Sequence, residues 1–421
     1  FWANNRKDSL SRKELTTYKV IDSIGKKHNL DLKVKVAQTV AKGYIPIKFL
    51  DVALNSLFNY NMFEKLRLGI GLKTNNKISS AFSLGGYFAY GFNDKKIKYG
   101  GNLLFNIYKK RDIKLGFEYK NDVIESSGYS FLETQSINST EMYRDYFVKD
   151  MTYNEGYSVN FQAMLLKHLK TRLSTTMQTM HTPTDYMFNN EQNAEVSKKH
   201  NFFETALQFR YAPNEELAYI ENEFYAVTSF SSPVFMGNII KGFNNFNGNY
   251  DYLKLEAKLY VSMLTKAFGK TNLQVIGGKI WGNLPYYKLY NGHGSYYDFN
   301  TEAAYSFATM RMNEFLSDQF FAVYLRQDFG SLLFKTKKFK PKVILVSSLT
   351  YGSLNNIGLH NNISIKTMEK GYFESGVLIN SIFRQLKFIG YGFGIFYRYG
   401  NYTFKNNKEN FAYRITITFD L

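Results

Sequence analysis

From about Asn61 to Leu421, apolar and polar residues alternate with a period of two in segments of about ten residues. Leu66, Leu68, Ile70 and Leu72 alternate with Arg67, Gly69, Gly71 and Lys73, and Ile113, Leu115, Phe117 and Tyr119 with Lys114, Gly116, Glu118 and Lys120. The same pattern runs through Phe82 to Phe92, Phe203 to Tyr211 and Leu253 to Val261. In the last segment Phe411, Tyr413, Ile415, Ile417, Phe419 and Leu421 share one face, and Ala412, Arg414, Thr416, Thr418 and Asp420 the other. This period puts successive side chains on opposite faces of a strand.

A soluble sandwich would alternate too. Here the segments carry Tyr and Phe near their ends, as an aromatic girdle at a membrane boundary requires, and Lys, Glu, Arg and Gly opposite, as a wet lumen permits. The expected fold is therefore an all-β, transmembrane antiparallel β-barrel. Its final strand is expected to pair with the first, because lipid cannot satisfy the free N–H and C=O groups of an edge.

Composition agrees. The aromatics are 38 Phe, 34 Tyr and only 2 Trp, or 18% of 421 residues, which excludes a disordered chain. No apolar run approaches the roughly 20 residues of a membrane-spanning helix. With no Cys, disulfides, Cys-bound metal and thiol nucleophiles are excluded. The formal charge of +18 asks for an anionic neighbour: nucleic acid, lipid headgroups or an anionic solute.

Residues 1–60 read as an N-terminal helical or extended periplasmic segment, and 61–421 as the barrel. Ser11 and Glu14 form a capping-box pattern, followed by Leu15, Tyr18, Ile21 and Ile24 at helical spacing up to Gly25. A second helix is expected from Asp31 to Lys42. The opening Phe1-Trp2-Ala3, without a signal-type segment, reads as a processed or trimmed start. Asn93-Asp94-Lys95-Lys96 and Lys109-Lys110-Arg111-Asp112 read as tight turns. Longer stretches near 122–155, 183–200, 282–303 and 352–370 read as external loops, with Gly282 to Asn300 the first candidate to fold into the lumen. The alternating segments number about fourteen to sixteen, and an even count near 16 fits the length.

No catalytic, cofactor-binding or metal site emerges. Glu314 and Asp318 on one strand would stand about 13 Å apart, too far for a glycosidase pair; Asp318 reads as the start of a turn and Glu314 as the partner of a lumenal Arg or Lys. The six His, His28, His168, His181, His200, His293 and His360, lack metal-ligand spacing, and His293 lies in a glycine-rich stretch, Asn291 to Ser295, that reads as a flexible loop. Tyr391-Gly392-Phe393-Gly394 is not followed by a helix and reads as strand, not phosphate loop. Lys and Arg are spread along the chain instead of forming one stripe, which argues against nucleic acid. They suit lipid phosphates, as in the run Lys335 to Lys342, or an anion-selective pore.

Six stretches, in order, resemble a family of uncharacterised bacterial outer-membrane β-barrels that follow a carboxypeptidase-regulatory-like domain. They are Phe1-Trp2 with Arg6 and Leu10; Asn61 to Gly69; Gly86 to Lys96; Gly278-Lys279-Ile280-Trp281-Gly282-Asn283-Leu284-Pro285-Tyr286; Asn313-Glu314-Phe315-Leu316-Ser317-Asp318-Gln319; and Gly371-Tyr372-Phe373-Glu374-Ser375-Gly376. Lys65 stands where the family pattern expects Gly. The family is in turn distantly similar to the surface-antigen or assembly-factor superfamily of 16-stranded barrels that handle polypeptides.

The resemblance implies a Gram-negative outer-membrane protein with no enzyme activity and no cofactor. It would act as a scaffold or component of an envelope assembly, secretion or transport complex, with outer-membrane lipids, lipopolysaccharide and envelope proteins as partners and no nucleic acid. A passive channel for small anionic solutes is the alternative, and an outer-membrane hydrolase the least favoured class.

Overall fold

The computed structural model describes residues 11–27, 43–132, 140–189, 198–220, 223–226, 233–334, 336, 339–385 and 389–419. Helix α1, Arg12–Lys27, opens on the expected box: the Glu14 N–H donates to Ser11 Oγ (3.3 Å) and the Ser11 N–H to Glu14 Oε2 (2.8 Å). It runs two residues past Gly25. The second expected helix, Asp31 to Lys42, and His28 lie outside the described residues.

Among the described residues strand pairing begins at Tyr44, upstream of the point where the period changes. β1, Tyr44–Ile47, forms a hairpin with β2, Leu50–Ala53. A one-turn helix, α2, Leu54–Leu57, interrupts the strand, which resumes as β3, Phe58–Asn61. β2 and β3 both pair with β4, Lys65–Thr74, at its two ends. The wall then continues antiparallel through β5 (Phe82–Gly91), β6 (Lys96–Tyr108), β7 (Ile113–Glu125), β8 (Met151–Leu166), β9 (Leu169–His181) and β10 (Lys199–Tyr211). β11 (Val234–Phe243), β12 (Tyr252–Thr265), β13 (Gly269–Trp281) and β14 (Gln319–Asp328) follow. β15 (Lys342–Ser353), β16 (Met368–Gln385), β17 (Ile389–Tyr399) and β18 (Phe411–Phe419) complete it. Among the described residues β4 to β18 supply fifteen wall strands, and the broken pair β2 and β3 supplies the sixteenth.

The faces are inverted relative to a soluble domain. Leu68, Ile70, Phe88, Leu255, Phe321, Leu345, Val377 and Phe393 point outward and are exposed, while Lys98, Glu204, Lys254, Glu256, Glu374, Arg398 and Arg414 point inward and are buried. Only a lipid solvent makes that arrangement favourable. Ring rows cross neighbouring strands on the outer face: Tyr99 to Tyr119 (6.0 Å), Tyr119 to Tyr157 (4.7 Å), Tyr351 to Phe373 and Phe373 to Tyr399 (both 5.9 Å). They are the expected girdle, and each pair adds about 1 kcal/mol beyond its burial.

The expected loops near 122–155, 183–200, 282–303 and 352–370 all open at one end of the barrel, here the long-loop end. The two tight turns are present; the second is a 3-10 turn, Lys109–Arg111, closed by Asp112 in the left-handed region (φ 49°). Lys65 is also left-handed (φ 59°). The Gly expected there would fit without strain, and Lys bears a cost of about 1 kcal/mol.

The expected closure is replaced. Among the described residues β18 does not pair with the first strand. Its free edge is bonded in parallel to Phe299–Thr301, with Phe299 opposite Tyr413, Asn300 opposite Arg414 and Thr301 opposite Ile415. The Glu302 N–H adds a bond to the Ile415 carbonyl at 2.8 Å, and at the other flank β1 covers β2. The physical demand behind the expectation, no free edge in lipid, is met in part by the chain's own segments.

Candidate functional site

The segment between β13 and β14, residues 282–318, turns into the barrel and fills it. Its apolar content drives this: Leu284, Tyr286, Tyr287, Leu289, Tyr290, Phe307, Met310, Phe315 and Leu316 are all almost fully buried in one cluster with Tyr186, Phe188, Phe202, Tyr252 and Tyr372. The nominated stretch Gly282 to Asn300 folds inward as far as Tyr296, reaches the exposed edge of β18 at 297–301, and the chain then turns inward again up to residue 318. Lengthwise it is pinned by short pairings, Tyr290–Asn291 with Leu316–Ser317 and Gly294 with Phe307.

Charged groups on the inner wall hold the loop on several sides. Glu374 of β16, fully buried, accepts from the Ala308 N–H (2.9 Å), the Thr309 N–H (2.6 Å) and the Thr309 hydroxyl. Arg414 of β18 donates to the carbonyls of Tyr297 (3.2 Å), Ser295 (3.4 Å) and Ala308. Arg398 of β17 pairs with Glu314 (2.9 Å) and lies over the rings of Tyr372 and Phe404. Arg326 of β14 pairs with Glu302 (2.6 Å), and Lys288 with Glu204 of β10. On the remaining side Arg144, from the loop after β7, forks onto Glu125 and donates Nε–H to the Gly294 carbonyl (3.0 Å). Burial holds the Lys288 ammonium below its usual range, with Glu204 opposing.

Glu314 thus has the lumenal Arg that its sequence setting implied. Asp318 is separate from it: its side chain accepts from the Asn355 N–H (2.9 Å) and Nδ2 (2.8 Å), bracing the start of β14. Structure does not bring the two into a pair with shared chemistry. Tyr391 to Gly394 lies in β17, as read.

His293 corrects the reading of Asn291 to Ser295 as a flexible loop. It is half-buried, left-handed (φ 54°), and stacked on Tyr129 with centroids 5.1 Å apart. Burial, with Arg144 and Lys258 nearby, drives its pKa well below the usual histidine value. The glycines beside it serve close packing: a Cβ on Gly292 would lie 2.3 Å from Met310 Sδ, and one on Gly294 2.4 Å from the Met310 carbonyl oxygen. Density of aromatic residues was the available sign that this loop is buried; Gly and Ser content pointed the wrong way.

Over the loop, a second layer ties external segments together. Met187–Phe188 pairs with His360–Asn361, and Tyr186 OH hydrogen-bonds His360 Nδ1 at 2.9 Å. Burial lowers the His360 pKa from 6.5 to about 4. A histidine held neutral by the fold stabilises it above pH 6.5 and loses that contribution as pH falls toward 4, because only the unfolded segment gains the proton. The protection of amides 187–188 and 360–361, taken relative to the intrinsic exchange rate at each pH, is expected to fall between pH 7 and 4.5 by an amount on the order of 2 kcal/mol. His360→Gln should remove the pH dependence; an unchanged slope in that variant would show that another group is responsible.

Among the described residues no group of three or more His, Asp or Glu could hold a metal ion. Fold and site define a transmembrane antiparallel β-barrel whose lumen is occupied by an inward-folded loop. In fold it is similar to BamA from Haemophilus ducreyi lacking POTRA domains 1–3, with a TM-score of 0.53 at 10% identity over 86% of this chain and 69% of that one. CdiB from Acinetobacter baumannii (TM-score 0.40, 10% identity, 84% of this chain and 56% of that one) and CdiB from Escherichia coli (0.42, 10%, 89% and 63%) also align. The chain spans less than two thirds of either CdiB. No protein-family model and no curated protein matches the sequence.

Proposed function

We propose that this chain is a non-enzymatic protein of the Gram-negative outer membrane, a scaffold or component of an envelope assembly, secretion or transport complex. The observation that carries the reading is the loop 282–318, packed across the lumen and pinned through Glu204, Arg326, Glu374, Arg398 and Arg414. A lumen built this way presents a rigid inner body and external loops to partners instead of a water-filled bore. The BamA-like fold supports it at the level of architecture, as does the resemblance to barrels that handle polypeptides. Envelope proteins are the expected partners through the external loops and the segment around α1. Lipids and lipopolysaccharide are expected to surround the outer face, with no role for nucleic acid.

An anion channel is disfavoured by the same contacts. Inward cations that would attract anions are already committed: Lys98 to Glu64 (2.7 Å) and Asp94, Arg67 to Asp122 (2.7 Å), Arg326 to Glu302 (2.6 Å) and Arg398 to Glu314 (2.9 Å). In planar bilayers the purified protein is expected to show no discrete anion-selective steps, and affinity purification from native membranes should bring down envelope proteins. Regular single-channel steps with steep salt dependence, in a protein that purifies alone, would reverse the choice.

A further inference from the structure

The outer wall carries a polar recess where a lipid-facing surface has no need of one. Its floor is a band across four strands, in which Asn121 of β7 faces Glu155 of β8, Glu155 faces Thr179 of β9, and His181 of β9 faces Lys199 of β10. Lys95, from the turn before β6, and Lys96, its first residue, stand over it, and the volume of the open recess is about 460 Å3. Asn121 and Glu155 each lie two residues from the girdle rings Tyr119 and Tyr157, so the recess is one strand step, about 7 Å, beyond the ring row toward the long-loop end. That is the height at which headgroups meet an aromatic belt.

We propose that this recess binds the phosphate of an anionic lipid headgroup in the leaflet at the long-loop end. Three ammonium groups, from Lys95, Lys96 and Lys199, converge on it together with His181, whose ring stacks on Tyr153 at 5.0 Å. Lys96 Nζ lies 3.7 Å from the centroid of that same Tyr153 ring, which fixes the ammonium over the recess. Of the lining residues Glu155 is the one carboxylate, and it accepts a hydrogen bond from Tyr119 OH at 2.9 Å; Asp94, beside the recess, accepts from Tyr153 OH at 3.2 Å and is paired with Lys98. Lys95, Lys96 and Lys199 prevail over Glu155, with Asp94 matched by Lys98, and a recess of this size accommodates a headgroup. The site lies outside the barrel and does not rest on the role proposed above.

The full chain, purified in detergent, is titrated with dioleoyl phosphatidic acid, dioleoyl phosphatidylcholine and inorganic phosphate, and bound species are counted by native mass spectrometry. Wild type is expected to favour phosphatidic acid strongly. Lys95→Gln/Lys96→Gln/Lys199→Gln should weaken that binding by about 100-fold and Lys199→Gln alone by about fivefold, leaving phosphatidylcholine unaffected. Heat-modifiable migration verifies folding; if the triple variant lacks it, the single variant decides. Equal binding of the two lipids by wild type overturns the proposal. So does an equal loss in Lys109→Gln/Lys110→Gln/Arg111→Gln at the opposite end, which would make the attraction general charge. Inorganic phosphate binding as tightly as the lipid would assign the recess to free phosphate and overturn the lipid assignment.

Discussion

Glu374→Ala is expected to detach the inward loop from the wall while leaving the barrel standing. The carboxylate is the acceptor for two backbone N–H groups and a hydroxyl at Ala308 and Thr309. Without it the two backbone N–H groups are buried and unpaired, the Thr309 hydroxyl keeps only Tyr372 OH (2.7 Å), and the nearby Arg414, itself fully buried, loses its compensating charge. Removing one member of a buried charged set costs about 3–5 kcal/mol, most of it borne by the loop. Arg311 provides the readout, since it lies in the loop and becomes a trypsin site once the loop leaves the lumen. Rapid cleavage after Arg311 in a barrel that still shows heat-modifiable migration, with a rise in bilayer conductance, is the expected result. Glu374→Gln keeps one acceptor oxygen and should fall between. Cleavage at the wild-type rate in the Ala variant would mean that the aromatic cluster alone retains the loop.

Gly294→Ala should have the next largest effect. The added Cβ would meet the Met310 and Arg311 carbonyl oxygens at 2.4 and 2.6 Å, both backbone atoms that cannot swing aside. Overpacking of this kind costs about 3 kcal/mol, and it also pushes apart the Gly294 to Phe307 pairing on which the loop's return depends. The comparison is Gly358→Ala, where nothing lies within 4 Å of the new methyl. The first substitution is expected to lower the temperature of the heat-modifiable transition clearly and the second to leave it unchanged. Equal effects would show that the loop tolerates rearrangement at its tip.

Fold class was legible in the sequence because a membrane barrel displays its solvent on every strand. The segments from Leu66 to Leu72, Ile113 to Tyr119 and Leu253 to Val261 all lie within observed strands. Irregular stretches hid more. The paired segments Leu217–Ile220 and Glu223–Ala226, which lie outside the wall sheet, carry no sign in the sequence that sets them apart from it. The break at Leu54–Leu57 leaves no mark in the sequence either, because four residues are too few for a period to show. The partner of Glu314 was foreseen only by type; that it is Arg398, 84 positions away, follows from where β17 stands relative to the loop.

Local alternation, ring placement and capping chemistry depend on residues a few positions apart, so the sequence alone determined a lipid-facing wall of about sixteen strands and a capped helix ahead of it. Which side of the wall the loop 282–318 occupies, and which inward charges hold it, depends on groups brought together from six or more strands. The same holds for the free edge of β18, which takes Phe299–Thr301 instead of the first strand. Those outcomes are balances of burial, desolvation and ion pairing across the lumen, and only the tertiary structure places the terms of that balance within reach of one another.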